Sequence, residues 1–169
     1  MFQDEARFGR INEPRACWAP KGMRPISVKQ IIREYTYAYG AISPKDGVFD
    51  SLILPTMDTC AMSIFLREVS KRHPKDYILM VMDGASCHSS GKLRLPKNMK
   101  ILKLPPYSPD LNPQENIWDE MREKWFGNCV FKNMDAVEKR MVEALLGLEN
   151  DPERIKSISG RKWILNSLK

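Results

Sequence analysis

The run Tyr77–Met82 (YILMVM) is continuously apolar and closes on Asp83 and Gly84. A half-buried strand alternates apolar and polar residues, whereas an unbroken short run fits a strand covered on both faces. Such a strand needs helices above and below its sheet. The rest of the chain supplies them. Gln30–Ile42 is rich in β-branched and aromatic residues, Ser43–Gly47 (SPKDG) is a turn signal, and Val48–Leu54 reads as the return strand of a hairpin. Met62, Phe65, Leu66 and Val69 follow at helical spacing, with Thr56 or Asp58 available as cap and Pro74 as stop. Lys100–Leu104 is a further short strand ahead of Pro105 and Pro106.

The next helix has clear punctuation. Asn112 suits the N-cap, Pro113 the first helical position and Glu115 the third. Ile117, Trp118, Met121 and Trp125 form its apolar stripe, and Gly127 and Asn128 can end it. Asn133–Leu148 reads as an amphipathic helix, and Asp151 onward as a shorter helical tail. The order is strand, hairpin, helix, strand, loop, strand, helix, helix. This predicts an α/β mixed sheet flanked by helices. A chain of 169 residues supports one such domain, spanning 1–169.

Charge and cysteine content narrow the function. The net charge is +6, and its distribution matters more than its sum. No acid lies between Asp83 and Asp110, a stretch that holds Lys92, Arg94, Lys97, Lys100 and Lys103. Six basic residues against Glu13 alone lie from Arg7 to Lys29. Clustered cations attract a phosphate backbone, although a solvated face also explains them. The four cysteines are scattered without a C-x-x-C pair, which argues against structural zinc. Apolar stretches are only a few residues long and the opening MFQDEARFGR has no signal core, so a cytosolic protein without a membrane span is expected.

Three acids stand where separate elements converge: Asp4 in or ending a very short first strand, Asp83 ending the apolar strand, and Glu115 opening a helix. Ligands in such sheets sit at the carboxyl ends of strands. Three carboxylates form a hard-oxygen site that prefers Mg²⁺ or Mn²⁺, and a paired-ion site can activate an attacking oxygen and stabilise a leaving one. Each acid has an ordinary alternative. Asp4 can be a surface acid with Glu5 as the ligand instead, Asp83 a turn former, and Glu115 the partner of Asn112 in a capping box. His88 can be structural or can orient a nucleophile. Tyr107 and Ser108 can position DNA or stiffen a proline loop, and Trp18, beside Lys21 and Arg24, can stack on a base or pack.

The segment LPPYSPDLNPQENIWDEMRE, Leu104–Glu123, resembles the stretch carrying the third catalytic acid in mariner-superfamily transposases, especially their bacterial insertion-sequence branch. VMDGASCHSS, Val81–Ser90, is similar to that family's second motif, with Asp83, Ala85 and His88 at its marked positions. FQDEARFGR resembles the first motif, with Asp4 as its acid, and WAPKGMRP, Trp18–Pro25, resembles the basic segment that follows. The resemblance implies an RNase H-like fold. It also implies metal ligation by Asp4, Asp83 and Glu115, with two Mg²⁺ or Mn²⁺ ions. Cut-and-paste cleavage and strand transfer on transposon ends and target DNA, a homodimer, and a bacterial cytosol or nucleoid setting are implied too.

The departures are an absent N-terminal helix-turn-helix region, a first strand of three residues before Asp4, and a spacing of 32 positions (115 − 83) between the later acids, slightly short for the family. They leave open a truncated transposase remnant that binds DNA without cutting it. A nuclease of the same fold acting on RNA–DNA hybrids or junctions is a third reading.

Overall fold

The computed structural model describes residues 1–12, 14–84, 93–106 and 108–167. Its sheet has five strands: β1 (Phe2–Ile11), β2 (Ile31–Ser43), β3 (Val48–Leu54), β4 (Ile78–Met82) and β5 (Met99–Lys103). Their order is β3-β2-β1-β4-β5. The pairs β1–β2 and β2–β3 are antiparallel, whereas β1–β4 and β4–β5 are parallel. The expected mixed sheet is therefore observed, with β1 at its centre.

The first strand corrects the sequence expectation. It runs for ten residues, so Asp4 lies inside it and does not end it. Charged residues interrupt the segment and mask its strand character, yet Phe2, Ala6 and Phe8 are all buried at a spacing of two or four. That is strand periodicity with one place, Asp4, given to a carboxylate.

The β2–β3 hairpin forms as its composition dictates. Its turn closes through Gly47 N–H donating to Ser43 O at 2.8 Å and Ser43 Oγ donating to Asp46 Oδ2 at 2.6 Å. Gly47 has φ +73°, which favours a residue without Cβ.

Helix α1 (Thr59–Arg72) covers one face of the sheet, capped by Asp58, whose carboxylate accepts from Cys60 and Ala61 N–H. Its Met62, Phe65, Leu66 and Val69 pack on Tyr39, Ala41, Ile78, Met80, Met82 and Met99. The other face carries α2 (Gln114–Lys124), α3 (Met134–Glu149), α4 (Pro152–Ser159) and α5 (Lys162–Ser167). Ile117, Trp118, Met121, Val137, Met141 and Leu148 there enclose Phe2, Ala6, Phe8, Ala38, Ile42 and Phe49. Fully burying one such side chain contributes roughly 1.5–3 kcal/mol.

Two details differ from the sequence reading. Helix α2 ends at Lys124 with Trp125 as C-cap, earlier than Gly127. Its start is also shifted, since Pro113 holds the cap position and Asn112 closes the preceding 3₁₀ turn, Pro109–Leu111. Strand β4 is not covered on both faces along its length. Leu79 is exposed, as is Leu102 on β5, because the multi-helix layer covers β1–β3 and stops short of the β5 edge.

Candidate active site

Strand register brings the first two acids together. Phe2 pairs with Val81 in the parallel β1–β4 ladder. Asp4 and Asp83 each lie two residues further on, so they sit level on neighbouring strands and on one face of the sheet. Adjacent strands are spaced at about 4.8 Å. Asp83 follows the last residue of β4 and is exposed, while Asp4 is half-buried within β1. Helix α2 supplies Glu115 in its first turn on the same face. The three acids line one cleft of about 390 Å³ together with Gly84, Ser108 and Asn112.

The start of α2 is fixed against β1 at the level of this cleft. Asn112 Nδ2 donates to Gln3 O at 3.0 Å, and Asn112 Oδ1 accepts from Gln114 N–H at 3.2 Å. Asn112 thus caps the helix in part and also anchors it to the strand beside Asp4. One turn into α2, the fully buried Trp118 donates its indole N–H to Asp4 Oδ2 at 2.9 Å. Gly40 lies opposite Asp4 on β2. A Cβ there would fall 2.8 Å from Trp118 Cη2 and 2.9 Å from Phe49 Cε2, and would overlap the Gln114 amide. The helix therefore seats Trp118 under Asp4 only because position 40 has no side chain.

Burial, then the nearby Glu115 and Glu5 carboxylates, push the Asp4 carboxyl from its ordinary 3.8 up to about 7, opposed by hydrogen bonds from the Glu5 backbone and Trp118. Desolvation and like charge both disfavour an anion, and a cation in the cleft would reverse the second effect.

Among the described residues, no three His, Cys, Asp or Glu side chains are grouped closely enough to hold a metal ion between them. The donor set nevertheless fits a hard divalent cation. All three cleft acids offer oxygen, and Mg²⁺ takes one or two carboxylates directly while water and substrate phosphate complete its shell. An open carboxylate cleft matches that requirement better than a closed one.

The remaining candidates divide by position. Strand alternation turns Glu5 to the face opposite Asp4, and it does not line the cleft. Trp18, Lys21 and Arg24 are exposed on the connection between β1 and β2, with Trp18 fully open to solvent. Arg94 and Lys97 are exposed ahead of β5, and Lys100 and Lys103 are exposed on it. Because β5 is an edge strand, its lysines also guard against unwanted strand pairing. His88, Lys92 and Tyr107 lie outside the described residues. Sequence reasoning missed Trp118 as a partner of Asp4, since its place in the apolar stripe of α2 explains it without a polar role.

Comparison with known proteins identifies the lineage. Residues 1–138 match the family described as DDE superfamily endonuclease. An uncharacterized protein of Sinorhizobium fredii, y4pE/y4sA, is 36% identical over 130 residues, covering 76% of this chain and 96% of that one. Among solved structures, the Mos1 transposase paired-end complex with left transposon end superposes with a TM-score of 0.62 at 16% identity, covering 95% of this chain and 55% of that one. The Mos1 mariner paired end complex with Mn gives 0.64 at 17% identity, covering 94% and 53%. This chain thus spans about half the length of the Mos1 chains it matches. No helix among the described residues is long and apolar enough to cross a membrane. With its mixed sheet, its flanking helices and a match over most of its length, the chain has an RNase H-like fold and belongs to the DDE superfamily endonuclease family.

Proposed function

We propose that residues 1–169 form one catalytic domain of a cut-and-paste DNA transposase, in which Asp4, Asp83 and Glu115 are the metal-binding acids. The observation that carries this reading is the convergence of the three acids, from β1, the end of β4 and the start of α2, on one cleft. Family membership supports nuclease-type chemistry, and the Mos1 titles that include transposon ends, Mn and Mg support DNA and divalent metal as its requirements. Paired-end assembly in Mos1 likewise supports a two-copy complex here. A bacterial cytosolic or nucleoid setting follows from the DNA reading and from the bacterial relative.

Bound Mg²⁺ or Mn²⁺, two ions in this reading, would supply charge neutralisation at the scissile phosphate and a more acidic attacking hydroxyl. The chain's own residues supply position. Trp118 holds Asp4 through Oδ2 and so fixes the orientation of the carboxylate. Asn112 locks the helix start that carries Glu115 to the strand that carries Asp4. Strand pairing keeps Asp83 level with Asp4. In the reaction, water attacks a phosphodiester at the element end and releases a 3′-hydroxyl, whose oxygen then attacks a target phosphodiester and displaces a new 3′-hydroxyl. Holding these groups in line is what a rigid three-element cleft contributes.

The test is metal-dependent nicking of supercoiled plasmid and Mn²⁺ binding followed by calorimetry. Asp83→Asn and Glu115→Gln should each lower nicking by about 10³-fold or more, since metal-centred charge stabilisation is worth several kcal/mol. Wild-type nicking by Asp83→Asn would sink the assignment. The alternative is a transposase remnant that binds DNA without cutting it. Against it stands the seating of Asp4 within a ten-residue β1, which pairs with β2 along its length and with β4 at Phe2. Wild-type protein that binds DNA but neither Mn²⁺ nor substrate metal complexes would restore it.

A further inference from the structure

A second concave surface lies further along the same two elements. It is a groove of about 300 Å³ lined by Arg7, Phe8, Tyr35, Arg15 and Arg122, with Glu34 at its side. From Asp4 to Arg7 is three residues of strand (7 − 4), about 10 Å at 3.3 Å per residue; Arg7 leaves β1 on the face opposite Asp4 and Phe8, so the groove takes residues from both faces of the strand. From Glu115 to Arg122 is seven residues of helix (122 − 115), about 10.5 Å at 1.5 Å per residue. Both β1 and α2 therefore start at the carboxylate cleft and reach the groove after similar distances. That interval corresponds to roughly three base pairs along a duplex axis.

The arginines are prepared for an anion. The Arg7 guanidinium lies 4.7 Å from the Tyr35 ring centre, and that of Arg122 lies 5.7 Å from the Phe8 ring. Neither Arg7 nor Arg15 has an ion-pair partner among the described residues, and Arg122 has only a 3.4 Å bridge to the exposed Asp119. Such a surface bridge is weak and readily exchanged. Glu34, the acid in the groove, is already bound to Arg10 at 2.8 Å. Aromatic faces hold planar guanidiniums in place without consuming their hydrogen-bond donors in the ring plane, which remain available for phosphate oxygens.

The Arg15 side of the groove is also built. Asn128 sits at φ 55°, the one non-glycine positive φ among the described residues. Its Oδ1 accepts from Arg15 N–H at 2.9 Å and its Nδ2 donates to Arg15 O at 3.1 Å, while Ser27 Oγ donates to the same Oδ1 at 3.1 Å. This paired bond seats the Arg15 backbone against the segment that follows α2, the helix carrying Arg122.

We propose that this groove is a second DNA-backbone site, taking phosphodiester oxygens on Arg7, Arg15 and Arg122 beside the Tyr35 ring, on duplex that continues past the carboxylate cleft. The proposal shares its ligand with the function above but requires no catalysis. Its test therefore uses DNA binding without divalent metal, so that failure of the cleavage reading and failure of the groove are separate results.

The probe is a fluorescently labelled 20-base-pair DNA duplex, with anisotropy titrations in EDTA at a series of salt concentrations. Arg7→Gln/Arg122→Gln should weaken binding on the order of tenfold and make the log K against log salt slope shallower by roughly 1.8, at 0.9 per lost phosphate contact. Arg7→Lys/Arg122→Lys should recover most of the slope, which a purely structural role would not produce. Unchanged slope and affinity in the Gln variant overturn the proposal. A Lys variant as impaired as the Gln variant overturns it too. So does an RNA duplex of the same sequence whose tighter binding alone is lost in the Gln variant. Thermal melts of both variants establish that the folded protein is being compared.

Discussion

The carboxylate cleft and the arginine groove are made from the same strand and the same helix, yet they solve opposite electrostatic problems. At the cleft, Asp4 is half-buried beside Glu115, and burial and like charge both disfavour its anion. At the groove, cations rest against aromatic rings with little acid nearby. The cleft lies where β1 has a partner on each side, β2 and β4; the groove lies where only β2 continues. A strand flanked on both sides holds a carboxylate rigidly in a dry setting. A strand with one open side leaves room for a long polymer. The same two elements thus carry a negative end that attracts a cation and a positive end that attracts the backbone.

The largest test of this contrast is the stability cost of the acidic end. The Asp4 carboxyl has an ordinary value of 3.8 and a folded value of about 7. Below pH 4 it is protonated in both states. Between 4 and 7 the folded protein holds a proton that the unfolded chain has released, so stability falls as pH rises and the whole contribution is gone above about 7. The difference amounts to roughly 4 kcal/mol at 1.36 kcal/mol per unit. Urea unfolding at pH 5 to 8 should show this decline in the wild type and a flatter profile in Asp4→Asn, with the variant the more stable of the two at pH 8. Identical pH profiles would mean that Asp4 is not a buried, crowded acid.

A smaller effect is expected from its indole partner. Trp118→Phe keeps an aromatic side chain but removes the N–H donor to Asp4 Oδ2 and part of the buried ring system. Loss of a partner that orients a metal ligand typically lowers metal affinity about 10–100-fold. Mn²⁺ titration followed by electron paramagnetic resonance, at a temperature where the variant remains folded despite the cavity it leaves, should show that drop. Equal affinity would reduce Trp118 to packing.

The smallest expected change sharpens the basic side. Lys97→Gln/Lys100→Gln should weaken duplex binding a fewfold and reduce the salt slope by at most about 1.8. If this pair moves the slope more than the arginine pair does, the β5 edge and not the groove is the principal backbone contact.

Much of the fold could be read before any coordinates. The β2–β3 hairpin, the Asp58-capped α1 and the apolar β4 follow from turn residues, periodicity and caps. Strand β1 reads as very short in the sequence because Asp4, Glu5, Arg7 and Arg10 break its apolar character, although Phe2, Ala6 and Phe8 keep its period. The cleft acids were nameable from motif resemblance and element ends, but their common level depends on the Phe2–Val81 register, which no local pattern encodes. The groove was invisible for a stronger reason. Arg7, Tyr35 and Arg122 are far apart in sequence, and each looks like an ordinary surface residue until β1, β2 and α2 are packed.

Gly40 has a consequence for how such a chain can change over generations. A methyl group at this position meets Trp118, Phe49 and Gln114 at once, so no single replacement partner relieves it. Substitution at 40 is therefore coupled to at least two other positions, one of which also holds Asp4. A lineage drifting under weak selection would have to pass through sequences in which the helix is lifted from the strand before any compensating change arrives. Position 40 is consequently a historical lock: a residue with no chemistry of its own, whose identity determines which mutational paths remain open to the acids around it.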